Sequence, residues 1–334
     1  MRQRSNTILL SLAASAALSL IVAAVALAAS IVGTPGNDRL TGTPNDDTIR
    51  ALPGSDRVRA LAGDDTVSGG RGRDRIHGGD GEDVLNGNAG RDLVLGGNDN
   101  DRVRGGSRGR PGHRGDALFG NRGNDDVRGN AGFDFVAGNL GEDTVVGGRG
   151  RDKVFGGPGA DNLYGDFLIR PTARSSGRRG DRIHGGEGND LLVGGAGRDR
   201  MSGGQGDDRQ YGGAARDVIF ANRGADTSSG GNGNDVLWAL AKADVTAPGD
   251  PIGDTLTGDN GNDTFRVRDG EVDEITCGGG NFDRVFADQH DQITDATLAD
   301  ATGSCELVER RDATSETAAD EDRTEAPRED ARER

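Results

Sequence analysis

The sequence predicts an all-β solenoid, in which short strands wind into stacked coils around a narrow core. Three observations carry that expectation. A nine-residue unit, typified by Gly69-Gly70-Arg71-Gly72-Arg73-Asp74-Arg75-Ile76-His77, recurs with drift from about Gly33 to Phe265. An apolar residue stands two positions after nearly every repeat Asp, as at Leu40, Ile49, Val58, Val67 and Ile76. Composition excludes the ordinary alternatives. With 59 Gly in 334 residues, 4% aromatic and 32% hydrophobic, the chain lacks the bulky side chains that a compact globule of this length needs. Glycine without a three-residue period excludes collagen. A net charge of −16 with 29% charged residues would by itself suggest disorder, but the strict register argues for order. The acidic balance also makes nucleic acid and anionic membranes poor partners and divalent cations good ones.

Taken in order, the chain opens with Arg2 and Arg4 ahead of an apolar run from Ile8 to Ala29 that ends in Ala26-Leu27-Ala28. Residues 1–28 read as a secretory signal peptide cut after Ala28, in preference to a retained anchor, because the run is mostly Ala and Ser. The mature chain is then expected to be extracellular.

The repeats follow. Gly-Gly-x-Gly-x-Asp is turn chemistry, since Gly permits positive φ and Asp tolerates tight bends. The next three residues make a very short strand whose middle, apolar residue points inward. Two units form one coil of 18 residues with a strand on each side, so stacking yields two parallel sheets. Residues 18 apart become ladders about 4.8 Å apart. Arg39, Arg57 and Arg75 form one outward ladder, and Thr48 and Thr66 lie on the opposite face. His77 and His184 share one outward register position, which makes them repeat residues rather than metal or catalytic groups.

The Asp is the most regular residue. It recurs at Asp38, Asp47, Asp56, Asp65, Asp74, Asp83, Asp92 and Asp101. It resumes at Asp116, Asp125, Asp134, Asp143, Asp152 and Asp161, then at Asp181, Asp190, Asp199, Asp208, Asp217, Asp226 and Asp235, and finally at Asp254 and Asp263. Stacking brings these carboxylates and the carbonyls of successive bends together. Oxygen donors at that density suit Ca2+, which takes about 6–8 oxygens in flexible geometry. Mg2+ wants a stricter octahedron, and Zn2+ wants His and Cys that are not placed for it. One Asp-Gly pair would be a turn cap; twenty-three in register point to metal.

This pattern resembles the hemolysin-type calcium-binding repeat, the RTX nonapeptide G-G-x-G-x-D-x-U-x. Close copies are Gly147-Gly148-Arg149-Gly150-Arg151-Asp152-Lys153-Val154-Phe155 and Gly185-Gly186-Glu187-Gly188-Asn189-Asp190-Leu191-Leu192-Val193. The resemblance covers roughly residues 33–268. It implies a right-handed parallel β-roll with multiple Ca2+ held between turns of adjacent coils, the repeat Asp and nearby main-chain carbonyls serving as ligands. There are departures. The first copies lack the Gly pair, as in Ala51-Leu52-Pro53-Gly54-Ser55-Asp56. Arg precedes the Asp at Arg73, Arg91, Arg151, Arg198 and Arg216, which should weaken those sites. Gln210 and Ser228 take inward apolar positions and mark a soft patch. Uninterrupted blocks of eight, six and seven units give fifteen turn pairs if the insertions break the stacking.

The insertions, near 105–114, 166–180 and 239–253, carry Pro and little periodicity and read as surface loops. The first two are basic, with Arg108, Arg110 and Arg114, then Arg170, Arg174, Arg178 and Arg179. Trp238, the only Trp, is expected to pack a coil end. Residues 269–310 read as degenerate repeats forming a C-terminal cap, because a repeat array needs its last apolar face covered. Cys277 and Cys305, the only cysteines, would staple that cap by a disulfide worth about 3 kcal/mol. Residues 311–334 are charged and almost without apolar residues, a disordered tail.

No H-E-x-x-H, G-x-S-x-G, P-loop or dinucleotide fingerprint is present, and no stretch is left over for a catalytic domain. The expectation is a non-enzymatic, secreted calcium-binding module that folds on binding Ca2+. An adhesin or cell-surface layer component is the alternative, contacting envelope polymers or surface proteins through outward Arg residues and basic loops. An ice-binding solenoid is disfavoured, because Thr48 and Thr66 are followed by Val84 and Arg102 rather than by a Thr ladder.

Overall fold

In a computed structural model, which describes residues 28–106, 115–166, 180–239, 253–280, 282–294 and 304–311, the chain is all-β. Successive strands alternate between two sheets of 14 strands each. The first sheet starts at Ser30–Val32 and continues through Thr48–Arg50 and Thr66–Gly72; the second starts at Arg39–Thr41 and continues through Arg57–Ala62 and Arg75–Asp80. Every pairing is parallel, and each strand pairs with the one two elements on. The signal-peptide region (all but residue 28), the charged tail beyond residue 311 and most of each insertion lie outside the described residues.

The core is one file of inward side chains from each sheet. Ile49, Val67 and Leu85 stack in the first, and Val58, Ile76 and Val94 in the second, all 2% exposed or less. Each coil thus buries two apolar side chains, which is why 32% hydrophobic residues suffice.

Strands are longer than the three residues the pattern suggests. Thr66–Gly72 spans 7 residues and Arg75–Asp80 spans 6. The chain stays extended beyond the apolar residue, and the first Gly of the pair takes a second inward position. That position must be empty. A Cβ on Gly69 would lie 2.6 Å from Asp74 Oδ2, because the Asp five residues on folds its carboxylate into the coil. The second Gly turns the corner at positive φ (Gly70, 112°), and Asn replaces it at Asn88, Asn121, Asn130, Asn139 and Asn222. The first coils, without Gly pairs, keep the same bend with Leu52 and Leu61 at φ 75° and 95°, an uncommon conformation for branched residues.

The insertions do not break the stacking, contrary to the condition behind the count of fifteen turn pairs. Ala117–Arg122 pairs with Leu93–Asn98, Lys153–Pro158 with Arg182–Glu187, and Thr227–Asn232 with Thr255–Asn260, each across an insertion. Extra residues enter at the corners, where the ladder makes no demand on chain length.

Arg39, Arg57 and Arg75 stack in register, and the Thr48–Thr66 ladder ends at Val84 and Arg102. Trp238 corrects its expectation. It faces outward on the second sheet, stacked 5.8 Å from Phe220 with the Arg266 guanidinium 4.7 Å above it, because the residue after an inward Leu237 must point away from the core. Both cysteines are buried and bonded, with Cα atoms 5.4 Å apart, and strands Glu274–Thr276, Arg284–Ala287, Gln292–Ile293 and Leu307–Arg310 extend both sheets to that end.

Gln210 and Ser228 are adjacent in the core file and pair with each other. Ser228 Oγ donates to Gln210 Oε1 at 3.2 Å, and Gln210 Nε2 donates to the Phe220 carbonyl at 2.9 Å. The soft patch is a satisfied polar pair. Ser228→Val alone should cost about 1–3 kcal/mol, since it strands the buried Gln210 Oε1 even though Gln210 keeps its bond to Phe220. Gln210→Leu alone should also cost about 1–3 kcal/mol, because it leaves the buried Ser228 hydroxyl without its partner, while the Phe220 carbonyl keeps the bond from Asn222 Nδ2 at 3.3 Å. Urea unfolding of the two single variants and the double variant gives their coupling.

Candidate metal centre: two rows of buried aspartates

All twenty-three repeat aspartates fall on two rows, one along each corner of the coil. One row runs Asp47, Asp65, Asp83, Asp101, Asp125, Asp143, Asp161, Asp190, Asp208, Asp226 and Asp254. The other runs Asp38, Asp56, Asp74, Asp92, Asp116, Asp134, Asp152, Asp181, Asp199, Asp217, Asp235 and Asp263. Within each row the backbone N–H of one Asp donates to Oδ1 of the Asp one coil on. Asp47 to Asp65 is 2.6 Å, Asp56 to Asp74 is 2.9 Å, and Asp152 to Asp181, across an insertion, is 2.7 Å. Except for Asp38, which Thr34 caps at the open first coil, these side chains are 5% exposed or less.

The rows continue where the nine-residue spacing slips. Asp254 N–H donates to Asp273 Oδ1, Asp263 N–H to Asp283 Oδ1, and Asp273 N–H to Asp291 Oδ1. Sequence spacing left out Asp273, Asp283 and Asp291, because the steps to Asp273 and Asp283 are 19 and 20 residues instead of 18. The signal was the Asp-x-apolar triplet itself, intact in Asp273-Glu274-Ile275 and Asp283-Arg284-Val285. At this end carboxylates also replace glycines, so that ligand oxygens of Asp269, Glu271 and Asp273 lie within 4.8 Å of one another.

One carboxylate oxygen is used by the ladder; the other is not. Oδ2 of Asp56, Asp74, Asp83, Asp134, Asp152 and most others is buried without a hydrogen-bond partner. A charged oxygen left so in a dry site is costly. Its surroundings are oxygen-rich. The point where a Gly69 Cβ would sit is 2.6 Å from Asp74 Oδ2 and 2.8 Å from the Gly87 carbonyl oxygen of the next coil. At Gly129 the same two kinds of oxygen, from Asp134 and Gly147, lie at 2.6 and 2.5 Å; at Gly156, from Asp161 and Gly185, at 2.3 and 2.6 Å. A carboxylate and a carbonyl thus converge beside these glycines. Hard, anionic, convergent oxygens are the donor set of Ca2+.

Electrostatics agree. Burial, outweighing the N–H donor from the preceding coil, raises Asp65 and Asp74 to about 6 and Asp83 and Asp125 to about 7. With neighbouring carboxylates adding to burial, Asp101, Asp152, Asp161 and Asp217 reach about 8 and Asp181 about 9. Asp47 goes the other way. There burial is outweighed by N–H donors from Ala29 and Thr43 and by the Thr43 hydroxyl, which hold its carboxyl below the usual value. Burial raises Asp116 to about 7 and Asp235 to about 6, and Arg91 and Arg216, which neighbour the Asp one coil earlier, offset part of that rise. These arginines therefore weigh on the following coil, not on the adjacent Asp.

Against known families, the model for the RTX calcium-binding nonapeptide repeat matches at residues 32–67, 51–85, 59–94, 77–107, 115–136, 137–167, 175–210, 211–238 and 249–271. The chain belongs to the RTX calcium-binding nonapeptide repeat family. Repeats of this family bind Ca2+ and build a structural β-roll, and no catalytic family matches beside them. No curated protein sequence matches the chain. Membership in the RTX family accounts for both halves of the unit, with Asp and carbonyl oxygens at the corners and one apolar side chain in the core.

Proposed function

We propose that the chain is a secreted β-roll whose folding is coupled to Ca2+ binding and which acts as a structural or binding module outside the cell. The proposed ligands are the twenty-three repeat aspartates, Asp38 to Asp263, together with corner carbonyls, extended by Asp273, Asp283 and Asp291. Residues 1–28 serve as the export signal, 269–310 as the cap and 311–334 as a solubilising tail. The observation that carries the reading is the buried Oδ2, lacking a hydrogen-bond partner at most repeats and set beside a carbonyl from the next coil. Without metal, the rows repel and are desolvated for little return. With metal, binding free energy becomes folding free energy.

Circular dichroism in chelator and in millimolar Ca2+ tests it. Far-UV β signal should rise on adding Ca2+ and fall again with chelator. Equal β content in both would sink coupled folding. A second reading, an adhesin or surface-layer component, is favoured by the in-register Arg39–Arg57–Arg75 ladder on the outer face.

A further inference from the structure

The two outer faces of the roll differ in charge. On the second sheet, from Arg39–Thr41 to Arg284–Ala287, the residues flanking each inward side chain fill 26 outward positions. Nine of them are Arg or Lys, and none is Asp or Glu. The corresponding positions of the first sheet, from Ser30–Val32 to Glu274–Thr276, hold five Arg together with Asp126 and Glu274 and are otherwise mostly Thr, Ser, Asn and Val. A chain of net charge −16 thus carries one outer face whose strand positions are basic and free of carboxylates, its charges grouped on either side of a neutral stretch from Leu93 to Ala137.

At the N-terminal coils this face is most exposed. Arg39, Arg57, Arg59 and Arg75 are all exposed and make no ion pair among the described residues. Arg39, Arg57 and Arg75 are direct cross-strand partners, a like-charge column about 4.8 Å apart. Such columns are destabilising unless something compensates them. A cleft runs between them, lined by Arg39, Arg57, Arg73 and Arg75 with Asp38 and Asp56. Asp56 is 1% exposed, and its Oδ1 already accepts the Asp38 N–H. Farther along, guanidinium groups lie over rings: Arg200 over Phe220 at 4.6 Å and Arg266 over Trp238 at 4.7 Å.

We propose that the outer face of the second sheet is a docking surface for a linear anionic polysaccharide. At its N-terminal end it presents a three-strand ladder of arginines around a cleft. The column's repeat, one charge per strand over Arg39, Arg57 and Arg75, suits a segment of an extended polymer bearing spaced carboxylates or sulfates. Nucleic acid fits less well. Bases would stack on open rings; the Arg39–Arg57–Arg75 column has no Phe, Tyr or Trp beside it, because the stacked Phe119, Phe135 and Phe155 rings begin farther along the sheet, and Phe220 and Trp238 lie under arginines. The acidic remainder of the chain also opposes a polymer of high charge density.

This inference rests on the calcium-loaded roll proposed above, and it gives calcium a second consequence. Each Ca2+ adds two positive charges; without residues 1–28, which carry Arg2 and Arg4, the net charge of −16 becomes −18, and nine ions offset it. The two Asp rows hold far more carboxylates than that requires. Loading the roll therefore removes the long-range repulsion that would keep a polyanion away from the basic face.

The test uses the full mature chain and hyaluronan, which carries one carboxylate per disaccharide, with heparin as a sulfated probe and neutral dextran as control. Binding is measured by biolayer interferometry in millimolar Ca2+ and in chelator, with circular dichroism recorded on the same samples. Binding to at least one anionic polysaccharide and not to dextran, present in Ca2+ and lost in chelator, is the expected result. Arg39→Glu/Arg57→Glu/Arg75→Glu should weaken it roughly tenfold or more, with a steep salt dependence in the wild type. Arg50→Glu/Arg102→Glu/Arg104→Glu, the same charge change on the opposite face, should leave it within about twofold. If the first variant does not fold in Ca2+, Arg39→Gln/Arg57→Gln/Arg75→Gln replaces it. Three outcomes overturn the proposal: a roll that folds in Ca2+ yet binds neither polysaccharide, equal loss from both faces, or tighter binding to duplex DNA. A chain whose β content ignores Ca2+ refutes the calcium reading itself, and circular dichroism identifies that case separately.

Discussion

In the absence of metal, the chain gains order as pH falls from about 8 to about 5. The repeat carboxyls carry this effect. In the unfolded chain they titrate near 3.9; in the roll burial raises them to between about 6, as at Asp74, and about 9, at Asp181. Between those limits the folded state binds more protons than the unfolded one. Stability therefore falls as pH rises. The contribution is fully present below the unfolded value and is lost as pH climbs through about 6 to about 9. Asp47, whose carboxyl is lowered, opposes the trend, but it stands against a whole row. A net gain of a few kcal/mol would raise Tm by roughly 10 °C. Thermal melts in chelator, read by circular dichroism at several pH values, check it. With Ca2+ present the sign reverses. Protons then compete with the ion for the same oxygens, so apparent calcium affinity weakens on acidification through the same window. A metal-free Tm that rises with pH would show that the buried carboxyls are not desolvated as the coil geometry implies.

Much of this was legible in the sequence because a repeat states its geometry many times over. The spacing of Ile49, Val58, Val67 and Ile76 gave both core files, and the 18-residue step gave the cross-strand partners Arg39–Arg57–Arg75. What escaped was set by contacts that spacing does not encode. Strands run on through Gly69 because the Asp74 carboxylate folds back into the coil, which only coordinates reveal. The rows pass the insertions because a corner tolerates any length of chain that leaves and returns at the same point. Asp273 and Asp283 were legible as weakened repeats but, at steps of 19 and 20 residues, stood outside the ligand rows in which hydrogen bonds place them. Gln210 looked like a defect in the core, and only its bonds to the Phe220 carbonyl and to Ser228 give it a reason. The unequal charge of the two faces was present in the sequence as well. It becomes visible only once alternate units are assigned to alternate sheets.

Substitutions at Asp74 should separate its two duties, since its two oxygens do different things. Oδ1 accepts the Asp56 N–H at 2.9 Å, and Oδ2 is buried without a hydrogen-bond partner, facing the space it shares with the Gly87 carbonyl. Asp74→Asn keeps an acceptor for Asp56 and places an amide N–H where a carbonyl can receive it. In chelator at about pH 8 this variant should be as stable as the wild type or more so, because a buried anion has been removed. In Ca2+ it should lose much of the calcium-induced gain at that corner. One lost ion corresponds to about 2.7 kcal/mol when calcium is a hundredfold above Kd. Asp74→Ala strands the Asp56 N–H as well and should cost about 1–3 kcal/mol even without metal. Because each coil touches only its neighbours, both effects should stay local, and amide exchange should report them around Asp56, Asp74 and Asp92 rather than at the far end. Urea unfolding of the three proteins, with and without Ca2+, distinguishes the cases. If Asp74 only caps a turn, Asn will leave the calcium response unchanged. If it only binds metal, Ala and Asn will be equally stable in chelator. The geometry requires a third pattern, in which Ala is destabilised in both conditions and Asn only in calcium.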